Sequence, residues 1–255
     1  MSGVLPVALE DATKIIGYLM LSDKEYVAIM QLHKEVPRER LLEVIREFTG
    51  RIYQRPPVRS SVKRSLRIKR VYEIKVLEID YPFVLMRIRC EHGTYVRKLI
   101  HDIGEVLGVG AHMRELRRIR TGPFKDDNTL VTMHELSEAI YIARELKDDS
   151  KLRSLILPME YGISHLPKVV IADGAVEALT HGADLAVPGI MLIHEGIKKG
   201  DTVALLTVKG ELVAIGEALM STEQVIQSSK GIVVKTKRVI MPRGVYPRLW
   251  RKRRK

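Results

Sequence analysis

Little in this chain points to cross-linking, metal or membrane. Its 255 residues include one cysteine, Cys90, so no disulfide can form within it, which fits a reducing compartment. That cysteine and eight scattered histidines show no metal-ligand spacing, so no zinc or other metal is expected, and no nucleotide-binding motif points to a cofactor. No apolar run approaches the length of a membrane span, and none of the partners expected is a membrane. Met1-Ser2-Gly3-Val4-Leu5-Pro6 has no basic stretch ahead of an apolar one and does not read as a signal peptide. Amides are scarce: Asn128 and four glutamines. Together with abundant charge, that is the direction of heat-adapted proteins.

What is present is a globular composition, 45% hydrophobic, in a chain long enough for one large domain or two modest ones. Lys and Arg number 43 against 31 Asp and Glu, a formal charge of +12. Such charge suits a polyanionic partner, nucleic acid first, although a basic surface also serves anionic membranes or solubility.

Periodicity predicts a short helix over 11–20, a strand from Lys24 to Leu32 and a helix from Pro37 to Phe48 with Leu41, Ile45 and Phe48 on one stripe. Arg51 to Arg70 holds Pro56-Pro57 and a dense basic run, and reads as an exposed loop leading into a strand. Val71–Asp80 and Phe83–Cys90 alternate as two strands around a turn at Tyr81-Pro82. Val96, Leu99, Ile100, Ile103 and Leu107 fall at helical spacing, and a strand follows around Met113 to Ile119. Thr132 and Glu135 form a capping-box pattern. Near Leu166-Pro167-Lys168 the texture changes to short strands between glycine-containing turns. The expected organisation is a first domain over 1–165, a second over 166–243 and a basic tail over 244–255, where Arg248 to Lys255 carries six basic residues beside Trp250.

Four segments carry a family resemblance: Gly3-Val4-Leu5-Pro6-Val7-Ala8-Leu9-Glu10-Asp11-Ala12-Thr13-Lys14; Lys24-Glu25-Tyr26; Gly93-Thr94-Tyr95-Val96-Arg97-Lys98-Leu99-Ile100 with Gly104; and Gly110-Ala111-His112-Met113 with Leu116-Arg117-Arg118. In this order and spacing they resemble the TruB class of RNA pseudouridine synthases. Thr180-His181-Gly182-Ala183-Asp184-Leu185, Pro188-Gly189-Ile190, Lys199-Gly200-Asp201 and Ala214-Ile215-Gly216-Glu217-Ala218 resemble a PUA domain. The pair of domains is similar to the dyskerin branch and its archaeal counterparts in H/ACA ribonucleoproteins. The resemblance covers nearly the whole chain. It implies an α+β fold: a catalytic domain on a mixed, mostly antiparallel sheet, and a small RNA-binding β-barrel.

The implied activity is isomerisation of uridine to pseudouridine in RNA. The bond from uracil N1 to the ribose breaks, the base turns, and C5 joins the same sugar carbon. The target nucleotide must leave its stack. In the resembled enzymes an aspartate of a Thr-Leu-Asp-Pro motif does the central work, as nucleophile or as stabiliser of charge on the sugar. That motif stands ahead of the segment that here begins at Gly3, and Asp11 is not a replacement. On this reading the chain as written is expected to be inactive, its start being an internal Met or a truncation.

The resemblance assigns Tyr26 to stacking on the flipped base, Tyr95 to proton transfer, Arg97 to pairing with the aspartate and Leu116 to the wall of the base pocket. Taken alone, each has a plainer reading: a packed strand tyrosine, a packed tyrosine, a solvent-facing helix arginine and a core leucine. An Arg97 partly buried without its aspartate is expected to lower stability. Arg55, Arg59, Lys63, Arg64 and Arg67 are expected to track RNA phosphates, or else to form a solvated face. His181, Gly182, Ala183, Pro188 and Gly189 are expected to bind RNA in the PUA domain. The implied partners are an H/ACA guide RNA, a substrate RNA (ribosomal RNA above all, transfer RNA as the alternative) and small ribonucleoprotein partner proteins. The implied site of action is the archaeal cytoplasm, or the nucleolus of a eukaryote. A non-catalytic RNA-binding scaffold is the rival function.

Overall fold

The computed structural model describes residues 2–56, 63 and 65–247. The chain forms two compact units: Met1–Val7 with Gly17–Ile156, and Ala8–Ile16 with Leu157–Lys255.

The first unit is built on β1 (Ser2–Gly3), β2 (Lys24–Leu32), β3 (Gly50–Gln54), β4 (Arg67–Asp80), β5 (Phe83–Cys90), β6 (Ala111–Thr121) and β7 (Phe124–Lys125). Their order is β1-β6-β2-β5-β4-β3, with β7 on β6. Within this sheet only the β1–β6 pairing is parallel among the described residues. This is the mixed, mostly antiparallel sheet that the resemblance implied. The helices are α1 (Ile16–Met20), α2 (Arg38–Glu47), α3 (Val96–Val106), α4 (Met133–Glu145) and α5 (Ser150–Leu155). The stripe of α3 buries Val96, Leu99, Ile100 and Ile103, and the helix packs on β6. With Leu41, Val44 and Ile45 of α2 these residues cover Ala28, Met30, Val84, Met86 and Ile88 of the sheet. At the start of α4, Thr132 Oγ1 accepts from Glu135 N at 3.2 Å and Glu135 returns to Thr132 N at 2.7 Å, so the capping box forms as the spacing predicts.

The stretch from Arg51 to Arg70 is not a loop throughout. Gly50–Gln54 pairs with Arg67–Val71, Arg51 opposite Arg70 and Gln54 opposite Arg67, so β4 begins four residues before Val71. The physical reason lies in the alternation: Ile52 and Gln54 turn inward while Arg51 and Tyr53 stay exposed. Arg51 and Arg70 thus lie on the solvent side, whereas Arg67 and Lys69, opposite Gln54 and Ile52, are half-buried on the other face.

The second unit contains α6 (Met159–Gly162), β8 (Lys168–Ile171), α7 (Asp173–Thr180), β9 (Leu185–Ala186), β10 (Ile190–Ile193), β11 (Thr202–Leu206), β12 (Leu212–Ala218), α8 (Thr222–Ile226) and β13 (Ile232–Val239). A 3-10 helix, Glu10–Ile15, belongs to the same unit. The strand order is β10-β8-β11-β12-β13-β9. The two outer strands, β9 and β10, are separated in sequence by only Val187–Gly189. The sheet therefore has to curl until its edges approach, which makes it the expected small barrel around Val169, Leu179, Leu185, Val203, Leu205 and Val233.

Leu99 is fully buried and Leu77 is 45% exposed. Leu99→Ala is expected to cost about 2–5 kcal/mol and Leu77→Ala no more than about 0.5 kcal/mol, as read by denaturant unfolding.

Candidate functional site

At one end of the first sheet the start of the chain, β2 and β6 are tied together by Arg118. Its carbonyl accepts from Val4 N at 2.8 Å, and its guanidinium Nε donates to Val4 O at 2.6 Å. The close approach requires Gly3: φ is +97°, and a Cβ there would stand 2.1 Å from Arg118 O. Arg118 also lies opposite Tyr26 in the β2–β6 ladder, on the same face of the sheet. Tyr26 is half-buried; burial raises its pKa, Cys90 adds to the rise, and Arg118 opposes it.

Leu116 is buried and pairs with Ala28, two residues on from Tyr26, so it shares Tyr26's face of the sheet. It is part of the core whatever else it shapes. Tyr95 caps α3, which β5 feeds from the same sheet end, since Cys90 pairs with Lys24. Its backbone is gripped by one buried amide: Tyr95 N donates to Gln54 Oε1 at 2.9 Å, and Gln54 Nε2 donates to Tyr95 O at 3.2 Å. Arg97, in the first turn of α3, is exposed and makes no ion pair among the described residues. An exposed guanidinium keeps its hydration, so the destabilisation expected of a partly buried, unpaired Arg97 does not apply.

Three residues here carried no assigned role in the sequence, although two lie in the quoted motifs. Arg118 is the tie just described. Gln54 is one of only four glutamines in an amide-poor chain, which was its one signal. Lys24 closes the turn before β2, donating to Met20 O at 2.8 Å, Ser22 O at 2.5 Å and Leu19 O at 3.4 Å. Burial, then Arg118, pull its pKa down to about 8. Beside it, buried Glu25 pairs with Arg87 and, at 3.1 Å, with Arg120, which reaches Asp23 at 3.0 Å. Burial alone would raise the Glu25 carboxyl, but Arg87 and Arg120 outweigh it and hold it below the usual range.

Of the basic residues in the 55–70 run, Arg55 and Lys63 are exposed, and Arg67 donates to Lys63 O at 3.3 Å. Arg59, Arg64 and the tail from Arg248 lie outside the described residues. Lys69 is paired with Glu91 at 3.0 Å. Arg70 and Arg89 sit 5.7 and 5.4 Å from the ring centre of Tyr72 on the outer face.

In the second unit an open hollow of about 460 Å³ is lined by Lys14, His181, Gly182 and Arg243, among others. Lys14 reaches Ile240 O at 3.3 Å, and His181 Nδ1 lies 2.8 Å from Glu177 O. Ala183 is exposed just beyond, and its carbonyl accepts from Thr236 Oγ1 at 2.7 Å. Pro188 and Gly189 fall in the Val187–Gly189 turn and do not line the hollow. Gly189 has a packing reason of its own: a Cβ there would stand 3.0 Å from Leu185 Cδ1 and 3.1 Å from Ala175 Cβ. Lys14 and Arg243 join the basic lining without having been singled out from the sequence. No helix among the described residues is long and apolar enough to cross a membrane.

The chain thus joins a mixed, mostly antiparallel sheet unit to a small barrel with a basic-lined hollow, and comparison with known proteins identifies the class to which this pair of domains belongs. Residues 1–96 match the TruB family pseudouridylate synthase N-terminal domain, 97–164 the tRNA pseudouridylate synthase B C-terminal domain, and 167–240 the PUA domain. The chain is 56% identical over 252 residues to the probable tRNA pseudouridine synthase B of Thermococcus kodakarensis, covering 99% of this chain and 75% of that protein. It is 54% identical over 249 residues to the Saccharolobus solfataricus protein of the same name, covering 98% and 99%. Its fold superposes with TM-score 0.91 on a chain of an H/ACA ribonucleoprotein bound to a substrate RNA containing 2'-deoxyuridine, at 52% identity, covering 97% of this chain and 75% of that one. It superposes with TM-score 0.92 on a chain of a Cbf5-Nop10-Gar1 complex, at 55% identity and the same coverage. The chain belongs to the TruB family of pseudouridine synthases, which are isomerases.

Gln54→Leu removes both amide bonds to the Tyr95 backbone, while Leu99 N still donates to Tyr95 O at 3.0 Å, and is expected to lower stability by about 1–3 kcal/mol in thermal or denaturant unfolding. Lys24 gives a pH signature. With its folded pKa near 8 against an ordinary 10.5, the unfolded chain binds more protons between those values. Stability from this group therefore rises as pH climbs from about 8 towards 10.5. Lys24→Met should remove that rise, seen as a smaller difference in unfolding midpoint between pH 8 and pH 10.

Proposed function

We propose that this chain is the catalytic subunit of an RNA-guided pseudouridine synthase that works in an archaeal cytoplasm. The observation that carries the reading is the likeness, over 97% of the chain, to a subunit of an H/ACA ribonucleoprotein with substrate RNA bound. On this reading Tyr26 offers its ring to the extruded uracil, Leu116 walls the base pocket and Tyr95 moves a proton. Arg97, exposed at the start of α3, is free to pair with the reacting carboxylate through a planar fork. The carboxylate meant is the aspartate of the family's Thr-Leu-Asp-Pro motif, which does not occur in residues 1–255. The pairing of Gly3 and Val4 onto Arg118 brings the first residues of the chain to the ladder position that faces Tyr26.

Arg55, Arg59, Lys63, Arg64 and Arg67 hold phosphates of the RNA. His181, Gly182 and Ala183, together with Pro188 and Gly189, serve the guide RNA on the PUA barrel, where Lys14 and Arg243 add charge to the hollow. Small proteins such as the Nop10 and Gar1 of the similar complex complete the particle. The relatives' name also supports a second substrate, transfer RNA, modified without a guide.

The test is pseudouridine formation by the chain carrying the Thr-Leu-Asp-Pro segment, reconstituted with partner proteins and an H/ACA guide. Modification of a guide-complementary RNA that stops when the guide is omitted supports the reading. Guide-independent modification of transfer RNA alone would replace it. Arg97→Gln should lower the rate on the order of a hundredfold while leaving RNA affinity within a few-fold.

A further inference from the structure

We propose that His33 and His112 form a two-histidine site for a divalent transition-metal ion, a function separate from RNA modification. The two imidazoles leave adjacent strands at one end of the sheet. Gln31 pairs with His112 and Leu32 with Ala111, and His33 N, just past β2, donates to Gly110 O at 3.1 Å. The backbone ladder therefore fixes both Cα positions before any ligand arrives. His33 Nε2 and His112 Nδ1 are 2.8 Å apart, with ring centres at 5.1 Å and ring planes tilted by 41°.

Two nitrogens bound to one ion at about 2.0–2.1 Å each lie roughly 3 Å apart, so the pair already stands at close to ligand spacing. One hydrogen now bridges the two nitrogens. The distances place the two nitrogens head-on along the line between the ring centres, so for both lone pairs to face an ion that hydrogen moves to the other nitrogen of its own ring and both exposed rings turn aside from that line. The rings stay neutral and no proton need be lost. Gly110 makes room for this arrangement: its φ is +75°, and a Cβ there would lie 2.8 Å from His33 Nδ1.

Paired imidazoles favour ions of the nickel, copper and zinc group, whereas magnesium and calcium require oxygen ligands. No group of three or more His, Cys, Asp or Glu side chains that could hold a metal forms among the described residues. Water therefore completes the coordination, and the site is an open, exchangeable one.

The test is calorimetric titration of the untagged protein with nickel chloride at neutral pH, with magnesium chloride as a control. The expected result is one saturable nickel site per chain and no magnesium site. Single substitutions His33→Gln and His112→Gln should each abolish the nickel site. His134→Gln, which changes an exposed histidine on α4, should leave it intact. Both positions of the pair are on the surface, and unchanged melting of the metal-free variants checks that they fold. Absence of saturable nickel binding in the unsubstituted chain overturns the proposal. So does binding that survives either single substitution.

Discussion

One side chain and its own carbonyl hold the candidate pocket together. Arg118 receives Val4 N on its carbonyl, gives its guanidinium to Val4 O, and faces Tyr26 across the β2–β6 ladder. Three stretches distant in sequence meet at that residue: the Gly-Val-Leu-Pro segment, β2 and β6. The double tie to Val4, one bond through the carbonyl and one through the charged guanidinium, is strongly directional. It fixes the parallel register of β1, since Gly3 fits only where Arg118 O lies and any side chain would collide there. The placement of Tyr26 and the path of the first residues are thus one constraint, not two.

Charge around this end of the sheet sorts into occupied and unoccupied groups. Arg87, Arg120 and Lys69 are engaged by Glu25, Asp23 and Glu91, and they hold the strand ends in place. Glu25 could not be buried without its two arginines, because desolvation alone would favour its protonated form. Arg55, Lys63 and Arg97 remain exposed. A net charge of +12 is therefore a poor guide to where an RNA backbone runs. The exposed subset is the meaningful one, because a cation already paired releases fewer counterions when it meets a phosphate.

Much of the fold was legible because its helices bury one regular stripe. The α3 spacing from Val96 to Ile103 predicts both the helix and its buried face, and Thr132 with Glu135 marks the start of α4. The β3–β4 pairing was not legible. Its inward residues, Ile52 and Gln54, are few, and the arginines around them mask the period of two. The site divides the same way. Tyr26, Tyr95, Arg97 and Leu116 follow from motif resemblance, but pattern alone leaves each with an ordinary structural role. Gln54 was invisible for a different reason: it acts on the Tyr95 backbone across 41 positions of chain, and no local period records such a bond.

The second unit shows why its limits cannot be read from composition alone. The change of texture near Leu166 marks where short strands begin, yet the compact unit also takes in Ala8–Ile16 and resumes at Leu157. The reason is visible in individual contacts. Lys14 Nζ bonds the Ile240 carbonyl after β13, and Glu160, just before the barrel strands, accepts from Leu212 N at 3.0 Å. Lys14 thereby becomes part of the lining that holds His181 and Arg243. A barrel cut free at residue 166 would keep its strand order but lose one of the cations in its hollow and the Glu160 anchor of β12. On the proposed reading of the hollow as an RNA site, its affinity for a polyanion would then underestimate that of the intact unit, since each lost cation removes a counterion-release contribution. The short segment between Gly-Val-Leu-Pro and α1 thus belongs physically to the barrel, although in sequence it stands with the synthase motifs.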